Sequence, residues 1–227
     1  MTHELSSPLL DELLKIDTPT ISNAIEILKL RPQHEGFTPS QIRCQFPELG
    51  RRCGIAVTAH VETITQSNEK REAEFVELFR AVAKTPKPAI VVFQEIGPRP
   101  EYCAHCGEVM ATIFQRAGAV GLVTDGTVRD VADLRKLNFQ CFARGTVASH
   151  ANFRIVRVNI PVQIMGLPIL PGEVLHGDEN GLTSIPKLAL NDLLKAAESV
   201  RARERRLLDR VMKDDFKVND LAGHFFE

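Results

Sequence analysis

Between residues 75 and 143 the chain alternates between helical and strand-like periodicity, and this alternation restricts its fold more than any other feature. Residues 75–83 set Phe75, Leu78, Phe79 and Val82 on one helical stripe, and residues 88–93 form an apolar, β-branched block that predicts a buried strand. Residues 107–117 read as a helix, 119–124 as a strand, 129–137 as a helix and 139–143 as a strand. This βαβα rhythm implies parallel strands with helices packed on the sheet. Just upstream, residues 54–63 place Ile55, Val57, Ala59 and Val61 on one face and Thr58, His60 and Glu62 on the other. Strict alternation of this kind predicts a half-buried strand.

Both ends have a different texture. Leu9, Leu10, Leu13 and Leu14 keep helical spacing, and Asp17-Thr18-Pro19-Thr20 then breaks that helix and offers caps for a second one over 21–30. From Arg154 onward short strands are predicted at 161–164, 173–176 and 182–185, with turns at Pro171-Gly172 and Asn180-Gly181. Pro186 suits the N1 position of a final helix over 187–213, with Leu190, Leu194, Ala197, Leu207 and Val211 as its apolar stripe. No repeat or long linker divides the 227 residues. The expectation is one α/β domain with a mixed sheet, residues 1–186, and a helical extension of that domain at 187–227.

Charge and cysteine content narrow the function classes. Lys plus Arg total 28 against 29 Asp plus Glu, so the basic excess of a field-driven nucleic-acid or membrane binder is missing. No apolar run approaches bilayer length. The opening Met1-Thr2-His3-Glu4 leads into no long apolar segment, which argues against a secretory signal. Five cysteines, an odd number, do not read as a disulfide framework, so a cytoplasmic location is expected.

Residues 107–133 are the most informative chemically. Gly107-Glu108 opens a helix whose first-turn amides at Glu108, Val109 and Met110 have no intrahelical partners, a cradle for a carboxylate or phosphate. The strand 119–124 runs into Asp125-Gly126-Thr127-Val128-Arg129-Asp130, and ligands of open α/β sheets bind beyond strand carboxyl ends. A carboxylate there can hold Mg²⁺ or Mn²⁺, and an adjacent Arg offers a fork to a substrate carboxylate or enolate oxygen. The plainer alternative makes Asp125 a helix cap and Arg129–Asp133 an i,i+4 ion pair.

Several segments together resemble a known family. Glu108, twenty residues, then Arg129-Asp130 matches the D/E-x20-R-D pattern of class II pyruvate aldolases of the RraA-like family, which resemble 4-hydroxy-4-methyl-2-oxoglutarate/4-carboxy-4-hydroxy-2-oxoadipate aldolase. The segment from Asp17 to Ala24 is similar to the family's D-T-x-x-x-[SC]-D-A helix start, with Asn23 where Asp is usual. Gly107-Glu108-Val109-Met110-Ala111-Thr112 resembles G-[DE]-L-L-A-T, and Gly121 to Asp130 resembles G-x-V-x-D-G-x-V-R-D. Pro171 to Gly181 is similar to its P-G-D-L-x-x-x-D-x-x-G-V hairpin, so the likeness covers roughly residues 10–186.

The resemblance implies a three-layer β/β/α swivelling-type domain, with N-terminal helices and a long C-terminal helix. It implies a homotrimer or homohexamer with active sites between subunits. Its implied activity is a divalent-metal-dependent retro-aldol cleavage of a 4-hydroxy-2-oxo acid to pyruvate, with decarboxylation of oxaloacetate through the same enolate. By the same resemblance Asp130 would contact the Mg²⁺ or Mn²⁺, Arg129 would stabilise the enolate, and Glu108 would orient metal-bound water. Gly107, Val109, Met110 and Arg129 would bind the 2-oxo acid, the amides of Val109 and Met110 taking its carboxylate. An acidic residue from a neighbouring subunit is open among Glu204, Asp209, Asp214 and Glu227. Glu108 in place of the commoner Asp, and His105 in place of a bulky apolar residue, depart from the pattern.

Competing signals carry plainer readings. Cys103-Ala104-His105-Cys106 contains a C-x-x-C that would suit zinc or redox chemistry, with packing and pocket lining the default. His176 ranks above His150 as a proton-transfer candidate, though a lone His is more often structural. Arg201-Ala202-Arg203-Glu204-Arg205-Arg206 and Glu69-Lys70-Arg71-Glu72 read as solvated faces or subunit contacts. Specificity loops are expected at 34–46 and 144–154, where Arg144 or Arg154 could hold a distal carboxylate. Two other functions compete: a non-catalytic regulatory module, whose members resemble G-x-V-R-Q and lack the carboxylate of Asp130, and another metal-dependent reaction of a hydroxy or oxo acid.

Overall fold

A computed structural model of the chain describes residues 5–66 and 72–221. In chain order the elements are α1 (Ser7–Leu13), α2 (Thr18–Ile27), β1 (Arg43–Cys44), β2 (Arg52–Glu62), α3 (Glu72–Lys84), β3 (Ala89–Glu95) and β4 (Ala104–Cys106). There follow α4 (Glu108–Arg116), β5 (Ala119–Thr124), β6 (Thr127–Val128), α5 (Val131–Lys136), β7 (Gln140–Ala143) and β8 (Arg154–Val158). The chain closes with β9 (Val162–Ile164), β10 (Leu167–Ile169), β11 (Val174–Asp178), β12 (Gly181–Ile185) and α6 (Leu193–Val211).

The expected parallel core is present: β2, β3, β5 and β7 run parallel in adjacent positions. The main sheet has the order β1-β7-β5-β3-β2-β11-β12, and β8 also pairs with β2. Antiparallel β11 occupies the second edge of β2 near its start, and antiparallel β8 takes over that edge near its end. Residues 54–63 are therefore central rather than half-buried, a correction to the sequence expectation. Thr58 is as buried as Val57 and Ala59, and Glu62 is nearly so, because both faces of β2 are covered.

Two layers flank the sheet. On one face Val57, Ala59, Val91, Phe93 and Leu122 pack with Leu78, Phe114 and Leu134 of α3, α4 and α5. On the other, Ala56, Ile90, Val92 and Phe142 meet Val162, Ile164, Leu167 and Ile169 of the β9–β10 hairpin. These are the β/β/α layers of the expected fold. A third cluster joins Leu13, Ile21 and Ile25 of α1 and α2 to Leu193, Ala197 and Val200 of α6, over Val174 and Ile185. Small Ala196 and Ala197 let α6 approach α2 closely.

Three boundaries differ from the sequence reading. Helix α2 starts at Thr18 because the Asp17 side chain already accepts the Thr20 N–H at 2.9 Å, with Pro19 in the first turn. The final helix is not continuous from Pro186: a 3₁₀ turn at Lys187–Ala189 precedes α6. The buried face of α6 runs through Leu193, Ala196, Ala197 and Val200, and farther along Leu208 and Met212 are exposed. Finally, α5 begins at Val131, which leaves Arg129 and Asp130 in the turn before it.

Arg201 hydrogen-bonds the Lys15 carbonyl at 3.1 Å and pairs with Asp17 at 3.7 Å, so this part of the basic stretch anchors α6 to the N-terminal helices. Glu69, Lys70, Arg71 and Glu227 lie outside the described residues. All five cysteines are free. No helix among the described residues is long and apolar enough to cross a membrane.

Candidate active site

The site is built on a small parallel pair, β4 with β6, in which Ala104 faces Thr127 and Cys106 faces Val128. Helix α4 leaves the end of β4 and the Arg129-Asp130 turn leaves the end of β6, so residues twenty-odd positions apart meet. The Arg129 N–H donates to the Cys106 carbonyl at 2.9 Å and locks the two exits together. Asp130 lies in the left-handed region, φ 55°, ψ 44°, a conformation that Asp tolerates better than most residues. Its carbonyl accepts the Asp133 and Leu134 amides of α5, while its side chain turns away to α4.

There Asp130 Oδ2 accepts the Glu108 N–H at 3.0 Å. Of the three first-turn amides expected to be free, that of Glu108 is thus taken, leaving those of Val109 and Met110; the Ala111 N–H already bonds the Gly107 carbonyl. Gly107 is extended, so its φ does not require glycine. Space does: an added Cβ would lie 2.3 Å from Asp130 Oδ2 and 3.0 Å from Arg129 Cγ. Arg129 Nε stands 3.7 Å from Asp130 Oδ2, and both side chains are more than a third exposed. The i,i+4 pair of Arg129 with Asp133 is not formed; Asp133 pairs with Lys136 at 3.0 Å.

Arg129, Gly107 and Met110 line a cavity of about 230 Å³ with Phe75, His150 and Phe153. Its walls are largely apolar around one guanidinium, the usual composition of a small-molecule pocket. Asp130 is not in the cavity wall but stands beside Arg129 and offers a hard oxygen ligand: Oδ2 is engaged by the Glu108 amide, and Oδ1 has no hydrogen bond among the described residues. A single carboxylate suits Mg²⁺ or Mn²⁺, which keep several waters and take other oxygens from substrate. The carboxylate chemistry of Asp130 therefore fits such an ion.

Other expected site residues lie elsewhere. Asp125 does not share the pocket and caps no helix; it is buried, and its Oδ1 accepts the Glu95 N–H at 2.8 Å. Burial, partly offset by that amide, pushes its carboxyl up to about 6. Arg144 bonds the Asp125 carbonyl and Arg154 pairs with buried Glu62 at 2.7 Å, so both serve internal contacts. His150 lines the cavity, whereas His176 is fully buried between the Thr18 hydroxyl at 3.0 Å and the Leu13 carbonyl at 3.1 Å. That reverses their expected ranking. Of the two loops, 144–154 reaches the Arg129 cavity, while Phe37 and Thr38 of 34–46 border a separate one with Asn23. Glu204, Asp209 and Asp214 are exposed on and just after α6.

The C-x-x-C pair is split. Cys103 and His105 share one face of β4, while Cys106 joins the core beneath α4. His105 is buried, with Nε2 3.0 Å from Glu95 Oε2 and Nδ1 2.6 Å from Thr124 Oγ1. Sequence reasoning missed Glu95, Thr63 and Thr124 as partners; the one signal was a histidine at a position expected to be apolar.

The Aldolase/RraA model of the RraA-like family matches residues 18–183. A Halalkalibacterium halodurans protein, assigned provisionally as a 4-hydroxy-4-methyl-2-oxoglutarate aldolase, is 36% identical over 114 residues, covering 48% of this chain and 54% of that one. A 4-hydroxy-4-methyl-2-oxoglutarate aldolase of Thermus thermophilus is 32% identical over 82 residues, covering 36% and 50%. The matches thus span about half the length of these curated relatives. Among solved structures, an uncharacterized Pseudomonas syringae protein superposes with a TM-score of 0.75 at 22% identity, covering 98% of this chain and 96% of that one. Streptomyces coelicolor RraAS2, described as an unusual member of the RNase ES inhibitor RraA family, gives 0.72 at 19% identity, covering 91% and 100%. At these identities the likeness shows the shared fold.

Proposed function

Because the chain belongs to the RraA-like family, we propose that it is a divalent-metal-dependent carbon–carbon lyase. It cleaves a 4-hydroxy-2-oxo acid to pyruvate and an oxo product, and decarboxylates oxaloacetate. The observation that carries this reading is the bond from Glu108 N–H to Asp130 Oδ2, beside Arg129, which lines the cavity. A regulatory module has no evident use for a carboxylate held beside a guanidinium at a pocket.

Each group has a task in this reading. A Mg²⁺ or Mn²⁺ held by Asp130 would supply Lewis acidity at the 2-oxo group. The unpaired Val109 and Met110 amides at the positive end of α4 bind the substrate carboxylate. Arg129 sets its planar guanidinium toward the oxygen that gains charge as the C3–C4 bond breaks, stabilising the enolate more than the ground state. Glu108, exposed on the first turn of α4, holds the water that takes the proton of the C4 hydroxyl as the C3–C4 bond breaks and returns a proton to the enolate carbon. Phe75, Met110 and Phe153 exclude bulk water and so strengthen the charge interactions.

The same reading places the working unit in a homotrimer or homohexamer. Support comes from apolar side chains left open beside the site and on the far part of α6: Val109 is 71% exposed and Met212 81%.

Pyruvate release from oxaloacetate and from 4-hydroxy-4-methyl-2-oxoglutarate, with Mg²⁺ or Mn²⁺ and then with EDTA, tests the function. Metal-dependent release that is lost in Asp130→Ala is expected. Turnover of other oxo or hydroxy acids alone would change the substrate. No turnover and no metal binding would leave the regulatory module.

A further inference from the structure

A second cluster of metal-ligating groups adjoins the pocket, whose wall includes His105, and has no part in the chemistry above. Glu95 ends β3, and Cys103 and His105 flank Ala104 at the start of β4. All three are buried, at 6%, 0% and 1% exposure. One ligand atom from each, a carboxylate oxygen, a thiol sulfur and an imidazole nitrogen, lie within 4.8 Å of one another. We propose that Glu95, Cys103 and His105 form a binding site for one Zn²⁺-class cation, separate from the cation held by Asp130.

The donor chemistry selects the ion. Sulfur and imidazole nitrogen favour Zn²⁺ over Mg²⁺ or Mn²⁺, and three protein ligands leave one corner of a tetrahedron for water. Charge balance agrees: on binding, the Cys103 thiol releases its proton to solvent, and the thiolate with the Glu95 carboxylate neutralises a divalent ion. A neutral ensemble costs far less to bury than a lone carboxylate.

The surroundings hold the ligands in place. Thr124 Oγ1, 2.6 Å from His105 Nδ1, orients the ring and leaves Nε2 toward Glu95. Glu95 receives the Thr63 hydroxyl at 2.8 Å on Oε2 and the Gly97 amide at 2.7 Å on Oε1. Gly126 closes over the ring so tightly that an added Cβ would sit 2.3 Å from His105 Cε1. Even spacing along β4 turns Cys103 and His105 to one side and Cys106 to the other. The ion would thus tie β3 to β4 two residues before Gly107, fixing the strand that launches α4.

The test uses the full chain, stripped with a chelator and titrated with Co²⁺ as a spectroscopic stand-in for Zn²⁺. One thiolate-bound Co²⁺ per chain is expected, with the visible bands of a tetrahedral site and a near-ultraviolet thiolate-to-cobalt band, displaced by Zn²⁺. Cys103→Ser should lose the thiolate band, while Cys106→Ser and Asp130→Ala should keep it. Absence of the band from the unsubstituted chain would overturn the proposal without recourse to any variant. Its persistence in a folded Cys103→Ser, or its loss in a folded Asp130→Ala, would also overturn it. The result is independent of the lyase reading, because no substrate is present.

Discussion

The carboxylate of Asp130 accepts the backbone N–H of Glu108 at 3.0 Å, joining the turn before α5 to the first turn of α4. This one bond removes an amide from the anion cradle and fixes the carboxylate proposed to hold the metal. Asp130→Asn separates the two effects. The amide oxygen can still accept from Glu108, and Asn tolerates the left-handed backbone as Asp does. We expect the thermal midpoint to hold while pyruvate release falls by about 10²-fold or more, the usual scale for losing an electrostatic partner. Near-normal turnover in Asp130→Asn would remove the carboxylate from the mechanism.

Arg129→Lys keeps the charge but not the planar fork. Turnover should fall by about 10²-fold, mostly in kcat, because the interaction proposed for Arg129 strengthens as the enolate forms. Steady-state kinetics on oxaloacetate would check this. A change confined to KM would recast Arg129 as a ground-state binding group.

Gly107→Ala should harm activity far more than stability. Its Cβ would meet Asp130 Oδ2 and Arg129 Cγ, both on side chains exposed enough to swing aside. The fold then loses chiefly the Glu108–Asp130 hydrogen bond, about 0.5–1.5 kcal/mol. The site geometry is what gives way. Parallel denaturation and activity curves decide it, and equal losses in both would show that Gly107 serves the fold alone.

Acid should weaken the attachment of the N-terminal helices. Burial holds the His176 imidazole below its ordinary 6.5. The folded state keeps it neutral, accepting from Thr18 and donating to the Leu13 carbonyl. The unfolded chain takes up a proton as pH falls through its ordinary value, so the stability from this group is present above it and is lost toward the depressed folded pKa. Denaturation midpoints at about pH 7.5 and about pH 5.5 should differ less in His176→Gln than in the unsubstituted chain. Thr18→Val, which strips a buried nitrogen of its donor, should cost about 1–3 kcal/mol at neutral pH.

Phe114→Ala probes the core below the site. Phe114 is fully buried and contacts Phe79 at 5.5 Å and Phe93 at 6.0 Å between ring centroids. A loss of about 3–5 kcal/mol is expected in urea denaturation. A loss under about 1 kcal/mol would mean that α4 is held on the sheet by other contacts.

The parallel core could be read from sequence because its causes are local. The strand over Ala119–Thr124 and the helix stripe of Phe75, Leu78, Phe79 and Val82 each carry their period within a few residues. Asp17 announces α2 by a capping bond to Thr20, three positions away. The motif Arg129-Asp130 and the helix start at Gly107 were likewise visible, together with the family they resemble. The burial of Thr58 on both-sided β2 was not, since it depends on β8 and the β9–β10 hairpin folding back from about a hundred residues later in the chain.

Local sequence set most of the elements, the alternation that makes the core of the sheet parallel, and the residue types proposed to grip a 2-oxo acid. Tertiary structure alone decided the partners. It gave the Glu108 amide to Asp130 and buried Asp125 against Glu95. It broke the C-x-x-C pair, sending Cys106 to the core and Cys103 with His105 toward Glu95. The physical reason is range: periodicity and capping act over a few residues, whereas hydrogen bonds, desolvation and metal ligation depend on which distant groups the packed sheet brings within a few ångströms.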